Sequence, residues 1–183
     1  MVAIVKLLPY EKTLVIRRQA TLFVPPPRDA AIETFRSRYN PVQYCLIRAH
    51  VTLCREDEVT DWELFADRLS QIEEIDISLS FGQPVRDGNL VTLPPVGSTE
   101  SFDAFRRIVL IGQSNSIRKH NPHITLIHPR NGTCTDRIFD EMSCDLSPFS
   151  VIFRSVTLIE QVDSGEWKNN MTFPTKRHEK GLA

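Results

Sequence analysis

The sequence predicts a mixed α+β chain made of two related, mainly antiparallel half-sheets facing each other across a central cleft. Three observations carry that prediction. A short motif, His-x-Thr-Leu, occurs twice, at residues 50–53 and 123–126. Each copy sits on a stretch with strand character, preceded by a strand and a helix and followed by a helix and a further pair of strands. Hairpin signals such as Asp87-Gly88 join neighbouring strands directly, which only antiparallel pairing allows.

Taken in order, residues 1–19 are the least patterned. Residues 2–8 and 14–18 read either as a hairpin around residues 9–12 or as a leader to the first core strand. Residues 21–24 form a buried strand stopped by Pro25, Pro26 and Pro27. Ala31, Ile32, Phe35 and Tyr39 recur at helical spacing, which predicts a helix over 28–38. Residues 44–54 read as the strand bearing the first motif. Thr60-Asp61-Trp62-Glu63 reads as a capping box for a helix whose apolar stripe is Trp62, Phe65, Ala66, Leu69 and Ile72. Residues 75–81 alternate strictly, as a half-buried strand does, and Asp87-Gly88 signals a hairpin turn followed by the strand 90–93. Ser98 caps a helix with Phe102, Phe105, Ile108 and Val109 facing inward.

The second motif lies in Asn121-Pro122-His123-Ile124-Thr125-Leu126-Ile127-His128-Pro129, a strand held between two prolines. Residues 136–144 form a helix with Ile138, Phe139 and Met142 on one side. Residues 150–161 and 167–173 are closing strands joined near Asp163-Ser164-Gly165, and the polar tail 176–183 is expected to be flexible. No linker or low-complexity segment divides the chain, so residues 1–183 read as one domain of two interleaved lobes.

Side chains alternate along a strand, so His50 and Thr52 share one face, as do His123 and Thr125, while the residues between them enter a core. A lone His-x-Thr is more often an ordinary polar pair. Its recurrence 73 residues apart, among only five histidines, arises by chance on the order of once in a few thousand such chains. The repeat is therefore read as a duplication that brings two imidazoles and two hydroxyls to one cleft. Imidazole, with a pKa of about 6.5, can give or take a proton near neutral pH, and hydroxyls can hold phosphate oxygens.

These residues resemble the two-histidine phosphoesterase superfamily, which includes the bacterial RNA 2′,5′-ligase and cyclic phosphodiesterase group. Pro-His-Ile-Thr-Leu fits that family's second motif and His-Val-Thr-Leu its first, and the likeness covers about residues 21–173. The resemblance implies a bilobed fold with helices on the outer faces and a metal-independent phosphodiesterase without cofactor. It implies substrates with 2′,3′-cyclic phosphates or 2′,5′ linkages, at RNA ends or in nucleotides. His50 and His123 would be catalytic, and Thr52 and Thr125 would bind phosphate. The chain departs from the family at Ile127-His128-Pro129, where members often carry a small or basic residue. Which histidine is acid and which base stays open, since forward and reverse reactions exchange the roles. A binding module that uses the histidines only as phosphate donors is the alternative.

Further substrate contacts are expected from Arg48, on the His50 face, and from Phe23, which could stack a base. Arg118 and Lys119 could form a basic lip ahead of the second strand. A carboxylate-paired arginine, a core phenylalanine and a solvated turn are the respective competing readings. Alternation would send His123 and His128 to opposite faces with no carboxylate beside them, so no metal site is expected. A net charge of −1 argues against a broad nucleic-acid coat while allowing a local basic groove. No apolar run reaches membrane-spanning length. Four cysteines without a Cys-x-x-Cys pair fit reduced thiols in a cytoplasmic monomer.

Overall fold

The computed structural model describes residues 14–113 and 117–175. The readings made for residues 2–8 and for the tail 176–183 lie outside the described residues. The elements run β1 (Ile16–Phe23), α1 (Asp29–Tyr39), α2 (Pro41–Leu46), β2 (His50–Arg55), α3 (Trp62–Gln71), β3 (Ile77–Phe81), β4 (Val85–Asp87) and β5 (Leu90–Leu93). They continue with β6 (Pro95–Val96), α4 (Glu100–Val109), β7 (Ile124–Ile127), α5 (Asp136–Asp145), β8 (Phe149–Phe153), β9 (Ser155–Val162) and β10 (Trp167–Pro174). The fold is mixed α+β, and every strand pairing among the described residues is antiparallel.

The first sheet has the order β10-β9-β1-β2. Its centre is apolar because Ala20 and Leu22 of β1 are fully buried beside Val51 and Leu53 of β2. The second half comprises two three-stranded ladders, β6-β3-β8 and β4-β5-β7. They share one bent hairpin: the Gly82 N–H donates to the Pro94 carbonyl at 3.0 Å, where β3 runs on to β4 and β5 to β6. A Cβ at Gly82 would lie 2.8 Å from Val96 Cγ1, so glycine permits the close approach at the bend. Gly88, at φ +57°, makes the two-residue turn between Asp87 and Leu90.

In this order β2 and β7, the two motif strands, are both edge strands, and they meet at the seam between the halves. An edge strand leaves a row of backbone groups unpaired, which must find other partners when buried. Here each half serves the other. Arg106 of α4 donates to the Leu53 carbonyl of β2, and Asn40 Nδ2 donates to the Leu126 carbonyl of β7 at 3.3 Å. Leu53 and Leu126 hold the same position in the two motifs, three residues after the histidine. The duplication therefore extends to a reciprocal brace, and one contiguous core runs through both halves.

The structure corrects several sequence expectations. β1 starts at Ile16 rather than Thr21, because its polar first half is paired along β9. Residues 44–46 belong to α2, which starts on Pro41, and the motif strand begins only at His50. A short apolar run does not separate strand from helix by its pattern, and proline at the first helical turn favours helix. Asp61, not Thr60, caps α3 by accepting from the Leu64 N–H at 2.9 Å; the Thr60 hydroxyl instead donates to Gln113. Thr99 is the residue at the start of α4, and Ile108 is exposed while Arg106 occupies the buried face. Residues 150–161 are two strands in different sheets, separated at Arg154. The turn after β9 is where it was expected, with Asp163 at φ 49° and Ser164 at φ 63°.

Candidate active site

His50 is the first residue of β2, and His123 immediately precedes β7. The two imidazoles are held identically. His50 Nδ1 lies 2.7 Å from the Arg48 carbonyl, and His123 Nδ1 lies 3.0 Å from the Asn121 carbonyl, in each case two residues back. A carbonyl can only accept, so Nδ1 carries the proton and Nε2 is left as the reactive nitrogen. His50, Thr52, His123 and Thr125 all line one cleft of about 630 Å³. The two threonine hydroxyls make no hydrogen bond with the described residues, which leaves them available to a ligand.

The cleft is strongly biased in charge. Arg17, Arg36, Arg55 and Arg130 line it, and among the described residues no Asp or Glu does. Arg36 is almost wholly buried and pairs with Glu33 at 2.5 Å, while Arg17 pairs with Glu56 at 3.3 Å. Arg55 and Arg130 form no ion pair with the described residues. Burial pushes the His50 imidazole down to about 4; the charges of Arg36 and His123 push the same way, and the Arg48 carbonyl opposes them. His50 is therefore neutral at pH 7.

The lead-in to His50 is clamped from α1: Glu33 accepts from the Ala49 N–H at 2.5 Å, and Arg36 donates to the Ile47 carbonyl at 2.6 Å. On the other side, Arg106 donates to the Arg118 carbonyl at 3.2 Å and pairs with buried Glu58 at 2.6 Å. Each motif histidine thus follows a segment fastened by a buried arginine. Neither Arg36 nor Arg106 stands out in the sequence, because an arginine on an amphipathic helix ordinarily reads as solvated.

The remaining expected contacts separate. Phe23 pairs with His50 across the β1–β2 ladder, and its ring meets the imidazole edge-on at 6.3 Å. Phe23 and Arg48 line an adjoining hollow rather than the histidine cleft. Arg48 is paired with Asp29 at 2.9 Å and lies over the Phe23 ring. Arg118 is paired with Asp57 at 3.0 Å and Glu58 at 3.3 Å, and neither it nor exposed Lys119 lines the cleft. The expectation that His128 faces away from His123 is overturned. β7 ends at Ile127, the chain turns at 128–132, and His128 lines the same cleft. Its Nδ1 accepts from the Arg130 N–H at 3.2 Å, so in the neutral ring Nε2 bears the proton, opposite to the motif histidines. Among the described residues no group of three His, Cys, Asp or Glu could hold a metal ion. No helix among them is long and apolar enough to cross a membrane.

Comparisons with known proteins agree with this arrangement of strands. The model of the 2′-5′ RNA ligase superfamily matches residues 24–165. Among solved structures, E. coli LigT complexed with NADP+ superposes with a TM-score of 0.59 at 14% identity, covering 88% of this chain and 98% of LigT. A protein described as a phosphoesterase gives 0.58 at 12% identity, covering 88% and 99%. TT0787 of Thermus thermophilus gives 0.53 at 16% identity, covering 87% and 98%. No curated protein matches the sequence. The family model spans most of the chain, both motifs included, and the chain belongs to the 2′-5′ RNA ligase superfamily.

Proposed function

We propose that the chain is a phosphodiesterase that opens 2′,3′-cyclic phosphates or cleaves 2′,5′ linkages at RNA ends or in nucleotides, without a metal. The observation that carries this reading is the matched pair of Nδ1–carbonyl bonds, which leaves two reactive Nε2 atoms in one arginine-lined cleft. Hydrolysis needs one neutral imidazole to take a proton from water as its oxygen bonds to phosphorus. The other, protonated, gives its proton to the ribose oxygen as the P–O bond breaks. The Thr52 and Thr125 hydroxyls donate to the non-bridging oxygens, whose charge must be held in the transition state. Ligation of a 5′-hydroxyl end to a cyclic phosphate is the same ring opening with that hydroxyl in water's place, and its reversal, cleavage of the 2′,5′ linkage by the neighbouring 3′-hydroxyl, exchanges the imidazole roles. Support from relatives is at the level of nucleotide chemistry: LigT structures carry ATP, 3′-AMP and NADP+. Both imidazoles come from one chain, so a monomer suffices.

The test is turnover of a panel of nucleoside 2′,3′-cyclic phosphates and 2′,5′-linked dinucleotides with EDTA present. Turnover that EDTA leaves unchanged, with a bell-shaped pH profile, is expected. Activity lost to EDTA and restored by a divalent ion would overturn the mechanism. Product binding without turnover would leave only a nucleotide-binding module.

A further inference from the structure

We infer that the hollow beside the histidine cleft is a second nucleobase subsite, which makes the preferred substrate an oligonucleotide end rather than a single nucleotide. This rests on the phosphodiesterase reading above. The hollow has a volume of about 630 Å³, as large as the cleft itself, and shares Leu46, Ile47 and Trp167 with it. The ridge between them is α2, which contributes no fully buried residue to the core. Its side chains are divided instead: Val42 and Gln43 line the cleft, Tyr44 and Cys45 the hollow, and Leu46 both.

The two spaces differ in chemistry. Among the described residues the cleft offers four arginines and no carboxylate, which suits a phosphodiester. The hollow balances Arg48 and Lys168 against Glu33 and Glu166, and its distinctive walls are aromatic: Phe23, Tyr44 and Trp167, from three separate elements. Tyr44 is 42% exposed, so its ring is accessible to a ligand in the hollow. Arg17 of the cleft lies over the Trp167 ring at 5.7 Å, so the indole stands as the partition. Every base has a π-face, and a near-neutral aromatic hollow takes an uncharged ring more readily than a second phosphate. Phe23 fixes the spacing, since it lines the hollow with its ring 6.3 Å from that of His50. A base held there is therefore the immediate neighbour of the reacting group.

The experiment compares kcat/KM for adenosine 2′,3′-cyclic phosphate with that for the dinucleotide ApA ending in the same cyclic phosphate. The wild-type protein should favour the dinucleotide at least about fivefold, the lower end of what one stacked base contributes. Tyr44→Ala should cut that ratio by about the same factor, and Tyr44→Phe should keep it. Tyr44 is exposed, so the variants should fold, which circular dichroism checks. A wild-type ratio near one, or a ratio that Tyr44→Ala leaves untouched, overturns the subsite while the phosphodiesterase reading stands. If neither compound is turned over, that reading fails separately, and tryptophan fluorescence titration with ApA and AMP decides the subsite. Tighter binding of ApA that Tyr44→Ala weakens supports it; equal affinities overturn it.

Discussion

At the scale of single residues, the proposal turns on the tautomer of two imidazoles and the freedom of two hydroxyls. If His50 and His123 each supply one proton transfer, His50→Ala and His123→Ala should each abolish most turnover. The double variant should be scarcely worse than either single one, because groups acting as a unit are strongly non-additive. Losses that multiply across the two sites would assign the histidines to independent binding. Thr52→Val and Thr125→Val keep the branched shape and remove a donor. Each should slow turnover by roughly one to three powers of ten with the fold intact. Steady-state kinetics with a circular dichroism check decides this, and unchanged rates would relieve the hydroxyls of any part in phosphate binding.

At the scale of elements, the braces across the seam hold the motif strands in place. Arg106 ties β2 to the segment ahead of β7, and its charge is matched by buried Glu58. Arg106→Met removes the guanidinium and leaves buried Glu58 with the longer ion pair to Arg118 and the Arg55 N–H, without its closest charge partner. Breaking a buried pair from one side costs about 3–5 kcal/mol. The urea midpoint should fall accordingly, and Arg106→Met combined with Glu58→Leu should recover part of the loss because no buried charge is then stranded. A single variant as stable as wild type would mean the brace contributes nothing.

For the whole molecule, acid is the expected weak side. Burial lowers both His50 and His120 to about 4, against about 6.5 in the unfolded chain. His120 is stacked on Phe102 with a buried, unpartnered Nε2. Between pH 6.5 and 4 the unfolded state binds more protons from these groups, so stability present above pH 6.5 is lost as the pH falls through that window. Urea midpoints measured from pH 7 to pH 4 should decline, and His120→Phe should flatten the decline. An identical slope in that variant would remove His120 from the acid response. The seam makes such local charges a property of the entire fold, because each half's motif strand is packed against the other half's helix.

The sequence by itself determined the α+β class, the duplication and the four motif residues, because strand alternation and a repeated spacing are local patterns that survive without knowledge of partners. Residues 14–18 stayed open between a hairpin arm and a leader, since it is long-range pairing, mainly to β9, that holds 16–19 extended. Residues 44–46, the end of α2, read as strand because a short apolar run has no period of its own, and whether it walls a cavity depends on what packs opposite. Arg36 and Arg106 looked like surface charges for the same reason. His128 was misplaced because alternation holds only while the strand lasts, and the chain turns after Ile127. Long-range pairing alone decided which carbonyls needed partners, which charges were buried to supply them, and that the two motif strands meet edge to edge.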